Sequence, residues 1–272
     1  MDKRQLPFLI KLLNDETSEV QEQVIEALCA FGDELTDEIK RQSIEVDDER
    51  CELLREVSTR RRRSWLLERW ETCLTLIDDK EKLEEAFGLL AEYDLGDDAA
   101  GTLTSLLDKL ASDYQDTHGN PDVFTLAHYL FRTSDLAGCN QNEYYKPAAS
   151  NLVSVIKRGR GLPISLACIY LLVGKRLSLD IEGCNVPNHF LARAIAGDRL
   201  ILVDCFNGGT TLDVAQLVPK GYDATEQIAG IRRGASVTTI LQRVLSNLSH
   251  AHAHVENASE ATFFIELRES TD

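Results

Sequence analysis

The sequence contains no apolar run that approaches the roughly 20 residues of a membrane-spanning helix. Residues 1–7 also lack the apolar segment of a secretory signal, so we expect a protein that stays in the cytoplasm. Positive charge is scarce, because 29 Lys and Arg stand against 45 Asp and Glu and leave a net charge of −16. A protein this acidic repels phosphate backbones and anionic lipid surfaces, so we expect neither nucleic acid nor a membrane as a partner.

The seven cysteines are scattered, odd in number and without any Cys-x-x-Cys pair. This distribution argues against a disulfide framework and against a structural zinc site. We expect reduced thiols, several of them buried in the core. A phosphate-binding glycine loop is also missing, because residues 158–161 lack the spacing of either nucleotide motif. We therefore predict no cofactor.

Three histidines near the end of the sequence alternate with alanine at His250, His252 and His254. In a helix, His250 and His254 would share one face and could form a metal pair. Apart from Glu256, no further ligand lies nearby in the sequence. We therefore predict no metal site, and we interpret the segment as a frayed polar tail.

Apolar residues make up 43% of the 272 residues, enough to bury a core in one large domain or two modest ones. Two apolar stripes at helical spacing cover residues 6–32 and resemble one HEAT-type helical pair. A lone repeat cannot bury both of its faces, so we expect this pair to pack on the helices that follow it. The stripes consist of Leu6, Phe8, Leu9, Leu12 and Leu13, then Val20, Val24, Ile25, Leu28 and Phe31.

Apolar stripes at helical spacing continue to about residue 110, and the two strand-like segments are residues 189–195 and 200–204. We predict three regions along the sequence. A helical region covers residues 1–78, a core covers residues 79–236, and a helical, partly disordered tail covers residues 237–272.

A predicted hairpin carries a histidine and an aspartate near its open end. Residues 189–195 and 200–204 are the strands, with Gly197 in the turn. If Ala196 and Gly197 form the turn, His189 faces Asp204 directly; a four-residue loop makes them diagonal neighbours on the same face. A histidine oriented by an acid, after a helix that begins with a thiol, is the arrangement of papain-like and transglutaminase-like enzymes.

Five segments in this order resemble the SirB1 family of the transglutaminase-like superfamily. The resemblance implies a mainly helical α+β protein, in which the HEAT-like helices pack on a papain-like core with a small antiparallel sheet. The sequence departs from the family pattern at Cys205, where proline is usual, and at Asn188, where glycine is usual. The segments are 142–147, 151–156, 161–166, 188–193 and 203–209. The cleft residues implied by these motifs are Asn142, Tyr145, Asn151, Gly161, Asn188, Phe190 and Phe206.

The resemblance also locates a missing nucleophile. The superfamily has a cysteine two residues after a glycine at the start of the long helix, and here Gly161 places Pro163 at that position. The SirB1 family similarly carries proline there. The candidate substitutes are Cys184, which lies shortly before His189, and Ser165, which helical geometry turns about 200° away from Pro163.

These observations favour a non-catalytic protein whose cleft binds a peptide or protein segment. The alternative is an amide hydrolase or acyl transferase that uses a cysteine, or a water molecule activated by the His189–Asp204 pair. A third hypothesis is a pure scaffold, in which side chains fill the cleft and partners bind the N-terminal helices. The sequence does not indicate an oligomeric state.

Overall fold

The computed structural model describes residues 2–32, 34–96, 99–186, 189–197, 199–213 and 225–271. Its contacts divide the protein into two compact units, Met1–Arg69 and Trp70–Asp272. The boundary between the units therefore lies earlier than the predicted one after residue 78. Among the described residues, no helix has both the length and the hydropathy of a membrane span.

The first unit is helical, and most residues of the predicted apolar stripes belong to its core, whereas Phe8 and Leu12 are exposed. Pro7 stands in the first turn of its first helix, where a missing N–H is tolerated. The buried face includes Leu6, Leu28 and Val57. After a 3₁₀ turn at Lys3–Gln5, the helices are α1 (Leu6–Leu12), α2 (Ser18–Cys29), α3 (Glu34–Arg41) and α4 (Asp48–Leu74), and α4 extends past the unit boundary.

The second unit combines helices with a small sheet. Its first helices are α5 (Asp79–Leu95), α6 (Thr102–His118), α7 (Val123–His128), α8 (Gln141–Tyr144), α9 (Leu152–Arg158) and α10 (Pro163–Arg176). A π-helical turn follows α7 at Tyr129–Thr133, and a 3₁₀ turn follows α8 at Pro147–Ala149. Its later helices are α11 (Thr225–Arg233), α12 (Val237–His254) and α13 (Ala258–Glu269).

The antiparallel sheet has four strands in sequence order: β3 (Ile181–Val186), β4 (His189–Ala196), β5 (Arg199–Asp204) and β6 (Thr210–Asp213). A separate parallel pair joins β1 (Ala137–Gly138) to β2 (Arg160–Gly161). The predicted fold class, a mainly helical α+β protein with a small antiparallel sheet, is confirmed. The sequence analysis predicted β4 and β5 but not the outer strands β3 and β6. It also did not predict β1 and β2, because two-residue strands carry no detectable alternation.

Helix α10 is the centre of the second unit. All its residues from Pro163 to Gly174 are buried, between strands β3 and β4 and the helices α5, α6, α7 and α9. Each fully buried aliphatic side chain contributes about 1.5–3 kcal/mol to folding, so this helix fixes the positions of its neighbours. At its C-terminal end, a Cβ added to Gly174 would lie 2.6 Å from Ile181 Cδ1, which shows how closely β3 begins beside it.

The C-terminal segment forms two helices in the described residues, whereas the sequence analysis predicted a partly disordered, frayed tail. Helices α12 and α13 form an antiparallel pair. Phe264 is buried against the rings of Tyr93 and His252. The Tyr93 hydroxyl donates to Glu260 at 2.8 Å, and Trp70 Nε1 donates to Thr271 Oγ1 at 3.0 Å. These partners lie far away in the sequence, so tail periodicity alone did not indicate them.

We expect Phe264→Ala to lower the free energy of unfolding by about 3–5 kcal/mol, because it removes a buried ring from this aromatic cluster. The control is Ile265→Ala, at the neighbouring exposed position, which should cost less than about 1 kcal/mol. Urea unfolding followed by tryptophan fluorescence measures both. Equal, small effects would show that the tail does not stabilise the fold.

Candidate active site

The candidate site lies at one end of the four-stranded sheet. Strand β3 begins beside the C-terminal end of α10, and both β3 and β4 contact that helix. Because β3, β4 and β5 pair antiparallel, β4 begins and β5 ends at the same end of the sheet. This topology brings His189, the first residue of β4, and Asp204, the last residue of β5, to that end.

The histidine and the aspartate form a hydrogen-bonded pair, with His189 Nε2 3.0 Å from Asp204 Oδ2. In the observed register Ala196 lies opposite Arg199 and Ala192 opposite Val203. That register makes His189 and Asp204 diagonal neighbours, which is the second of the two predicted arrangements. The imidazole side chain bridges the diagonal, and it is 28% exposed.

Asp204 is held as a carboxylate by hydrogen bonds. Its oxygens accept from His189 Nε2, from the Asn207 backbone N–H at 3.1 Å and from Asn207 Nδ2 at 2.8 Å. Burial raises the pKa of Asp204, but the hydrogen bonds from His189 and Asn207 outweigh burial, so this pKa lies below its ordinary value. The site therefore presents a fixed negative charge behind the imidazole.

Phe206 connects this pair to the region before α10. Its ring meets the His189 ring edge-on, with centroids 6.5 Å apart. The same ring covers Gly138, where an added Cβ would lie 2.7 Å from it. Gly138 pairs with Gly161, two residues before Pro163. Phe206 thus lies between His189 and the strand pair that leads into α10, and Gly138 leaves room for its ring.

The position predicted for the nucleophile is the first residue of α10. Leu162 is the N-cap with extended backbone, and Pro163 follows in the first turn. Proline suits this position because the first helical N–H has no partner inside the helix. Its ring is buried and carries no group that could attack a substrate.

Ser165 and Cys184, the two candidate substitutes, are buried and, among the described residues, are not hydrogen-bonded to a base that could activate them as nucleophiles. Ser165 is buried, and its hydroxyl donates to the Ala149 carbonyl at 2.9 Å, so it holds the preceding loop. Cys184 is buried in an apolar cluster with Leu191 and Leu202. Burial raises the pKa of its thiol to about 11. Thiolate is therefore scarce at neutral pH, and neither side chain is activated.

The predicted cleft residues do not form one surface. Asn151 is buried, caps α9 by accepting from the Ser154 N–H, and donates to Asp94 at 2.8 Å. Phe190 is fully buried on the face of β4 opposite His189, because successive strand residues alternate. Both residues are structural, which corrects the prediction that they line the cleft.

The remaining predicted cleft residues lie in separate places. Asn142 is exposed on α8, and Tyr145 is 49% exposed with its ring 4.8 Å from that of His254. Gly161 is buried in β2. Asn188 lies outside the described residues. Phe206 is thus the predicted cleft residue whose ring contacts His189.

Asn207 is the site residue that the sequence reasoning did not assign. It lies three residues after Asp204, a spacing at which an aspartate often accepts from the backbone of a turn. Gly208 and Gly209 both have positive φ, and the Gly209 N–H closes the turn on the Asp204 carbonyl at 2.8 Å. The Asp-x-x-Asn-Gly-Gly order was the available signal.

Comparison with known proteins agrees with this geometry. Residues 97–246 match the family described as the transglutaminase-like superfamily. A UPF0162 protein of Xylella fastidiosa is 34% identical over 208 residues, which cover 72% of this chain and 74% of that protein. F-box only protein 21 of Mus musculus is 31% identical over 120 residues, which cover 40% of this chain and 18% of that protein. No solved structure matches this sequence.

This protein therefore belongs to the transglutaminase-like superfamily. It is similar to UPF0162 proteins of bacteria, including one of Pseudomonas aeruginosa that is 29% identical over 126 residues, 46% of this chain and 47% of that protein. The matched family segment contains the hairpin, the His189–Asp204 pair and Pro163.

We expect Asp204→Asn to lower the free energy of unfolding by about 2 kcal/mol at pH 7, because it weakens three hydrogen bonds to a buried carboxylate. The folded pKa of Asp204 is lowered, so its stabilisation is complete above the unfolded value, near pH 4. It is lost as the pH falls through the folded pKa.

The measurement is urea unfolding of both proteins between pH 7 and about pH 3. The difference between them should narrow at the acid end. Asp180→Asn, at an exposed position before β3, is the matched control and should change little. A penalty for Asp204→Asn that stays constant across this pH range would show that the carboxylate charge is not what stabilises the site.

Proposed function

We propose that this protein is a non-catalytic member of the SirB1 branch that binds a peptide or protein segment beside the His189–Asp204 pair. The observation that carries the proposal is Pro163 at the first residue of α10, the position that the superfamily uses for its nucleophile. The buried state of Cys184 and Ser165 supports it, because neither can replace that nucleophile.

The partly exposed imidazole is what remains for a ligand to contact. Asp204 orients the ring and Phe206 packs against it. A histidine held in this way can donate or accept a hydrogen bond with a polypeptide backbone. We further propose a cytoplasmic protein, which the seven free cysteines support, and a HEAT-like role for the first unit as additional contact surface.

A water-dependent hydrolase is the second candidate, and the His189–Asp204 geometry favours it over a cysteine enzyme. When Nε2 carries the proton towards Asp204, Nδ1 is left as an acceptor that could take a proton from water. This reaction needs no nucleophilic side chain. A wild-type hydrolysis rate on p-nitrophenyl acetate that His189→Ala abolishes would support this candidate over the binding function.

Thiol labelling tests whether a displaced nucleophile exists. We expect Cys184 to react with iodoacetamide roughly a few hundredfold more slowly than a free thiol at neutral pH, because its pKa is raised to about 11. His189→Ala should leave that rate unchanged. The partly exposed Cys51 is the internal control and should label faster. Rapid labelling of any cysteine that slows in His189→Ala would favour the enzyme.

Crosslinking tests the location of peptide binding. One variant carries a photoreactive phenylalanine analogue in place of Phe206, and a second carries it in place of Phe8, which is exposed on α1. Each variant is incubated with peptides selected from a random phage library and then irradiated. We expect crosslinks at position 206, and binding that is roughly tenfold weaker in His189→Ala, as for the loss of one hydrogen bond. His250→Ala, at an exposed position of α12, is the matched control. Crosslinks at position 8 alone would support the pure scaffold.

A further inference from the structure

A half-buried guanidinium packs on the hairpin that carries His189, on the other face of the sheet. Arg243 extends from α12, and its Cζ lies 5.7 Å from the centroid of the Phe190 ring. Its Nη1 donates to the side-chain oxygen of Asn185. Asn185 is opposite Phe190 in the register, and the next pair along the strands is Val186 with His189.

Two other half-buried arginines of this unit pair with acids, whereas the half-buried Arg268 donates to the Ser246 hydroxyl. Arg176 pairs with Glu84 and Asp108, and Arg193 pairs with Glu182. Within the described ranges, Arg243 has a different environment, since its hydrogen-bond partner is an amide and no carboxylate forms an ion pair with it. Burial lowers the pKa of Arg243, and the phenol of Tyr144 is the group that opposes this effect.

An uncompensated cation in a partly buried position is unfavourable unless an anion joins it. The sequence has 45 acidic residues, so composition does not explain why Arg243 lacks an acidic partner among the residues that the structure describes. A guanidinium has five N–H donors, and the contact with Asn185 uses one nitrogen. The remaining N–H groups are therefore available to a ligand.

We propose that Arg243 is a binding site for a carboxylate, supplied by an acidic residue or by the C-terminus of a polypeptide. A planar carboxylate matches the two parallel N–H bonds of a guanidinium edge. The net charge of −16 disfavours a multiply charged phosphate more than a single carboxylate. The source of the carboxylate rests on the proposed function, whereas the chemistry of the site does not.

The test follows the Nε–Hε signal of Arg243 by NMR in the full-length protein, during titration with small probes. N-acetylglycine supplies a C-terminal carboxylate, and N-acetylaspartic acid amide supplies the carboxylate of an acidic residue. N-acetylglycinamide is the neutral match, and inorganic phosphate is the competing anion. We expect saturable shifts of the Arg243 and Asn185 side-chain signals with a carboxylate probe and none with the neutral amide.

The variants separate binding from folding. Arg243→Met keeps an apolar stem over Phe190 and should bind N-acetylglycine roughly tenfold or more weakly, as expected when a charge-assisted hydrogen bond is lost. Arg243→Lys keeps the charge but loses the planar guanidinium edge, so its affinity for N-acetylglycine should lie between those of the wild type and Arg243→Met. Arg268→Met, in α13 where Arg268 donates to Ser246, is the matched control and should bind as the wild type does.

Three results would overturn the proposal: no saturable shift at Arg243, equal shifts with the neutral amide, or binding of phosphate alone. The proposed function fails separately. Carboxylate binding at Arg243 without peptide crosslinks at position 206 would support the carboxylate site and contradict the proposed peptide binding. Peptides that bind equally to wild type and Arg243→Met would support the proposed peptide binding and contradict the carboxylate site at Arg243.

Discussion

Burial of helix α10 is the constraint on which the second unit depends. The helix is apolar and buried from its first residue to Gly174, so it must be covered on every side. Strands β3 and β4 cover it on one side, and helices α5, α6, α7 and α9 contact it elsewhere. Phe206, which follows the hairpin, covers Gly138, and Gly138 pairs with Gly161 just before the helix. The candidate site therefore results from the way this core closes.

The site combines the hydrogen-bonded carboxylate of Asp204 with a proline, Pro163, at the position expected for a nucleophile. Asp204 is partly desolvated, and the donors on His189 and Asn207 stabilise its ionised form. Such a pair holds the end of the hairpin together whether or not a reaction occurs there. Pro163 meets the backbone requirement of a helix start while it provides no reactive atom. The acid and the base are therefore present without a side-chain nucleophile at the first residue of α10.

The two faces of the hairpin differ in their electrostatics. On one face, Asp204 places a negative charge behind His189. On the other, Arg243 lies over Phe190 and bonds to Asn185. Both arrangements depend on alternation in β4, which directs His189 and Phe190 to opposite sides. Two neighbouring residues of one strand thus support two chemically different environments.

Local patterns in the sequence were sufficient to predict the helices of the first unit, the hairpin, and the shared face of His189 and Asp204, because helical spacing and strand alternation are local properties. They were also sufficient to place Pro163 at a helix start. The motifs could not distinguish the cap Asn151 or the buried Phe190 from cleft residues, since burial depends on what packs against them. The tertiary structure alone decided the hairpin register, the burial of Cys184, the order of the tail and the approach of Arg243 to Phe190. Each of these depends on contacts between residues distant in the sequence, and no local pattern encodes them.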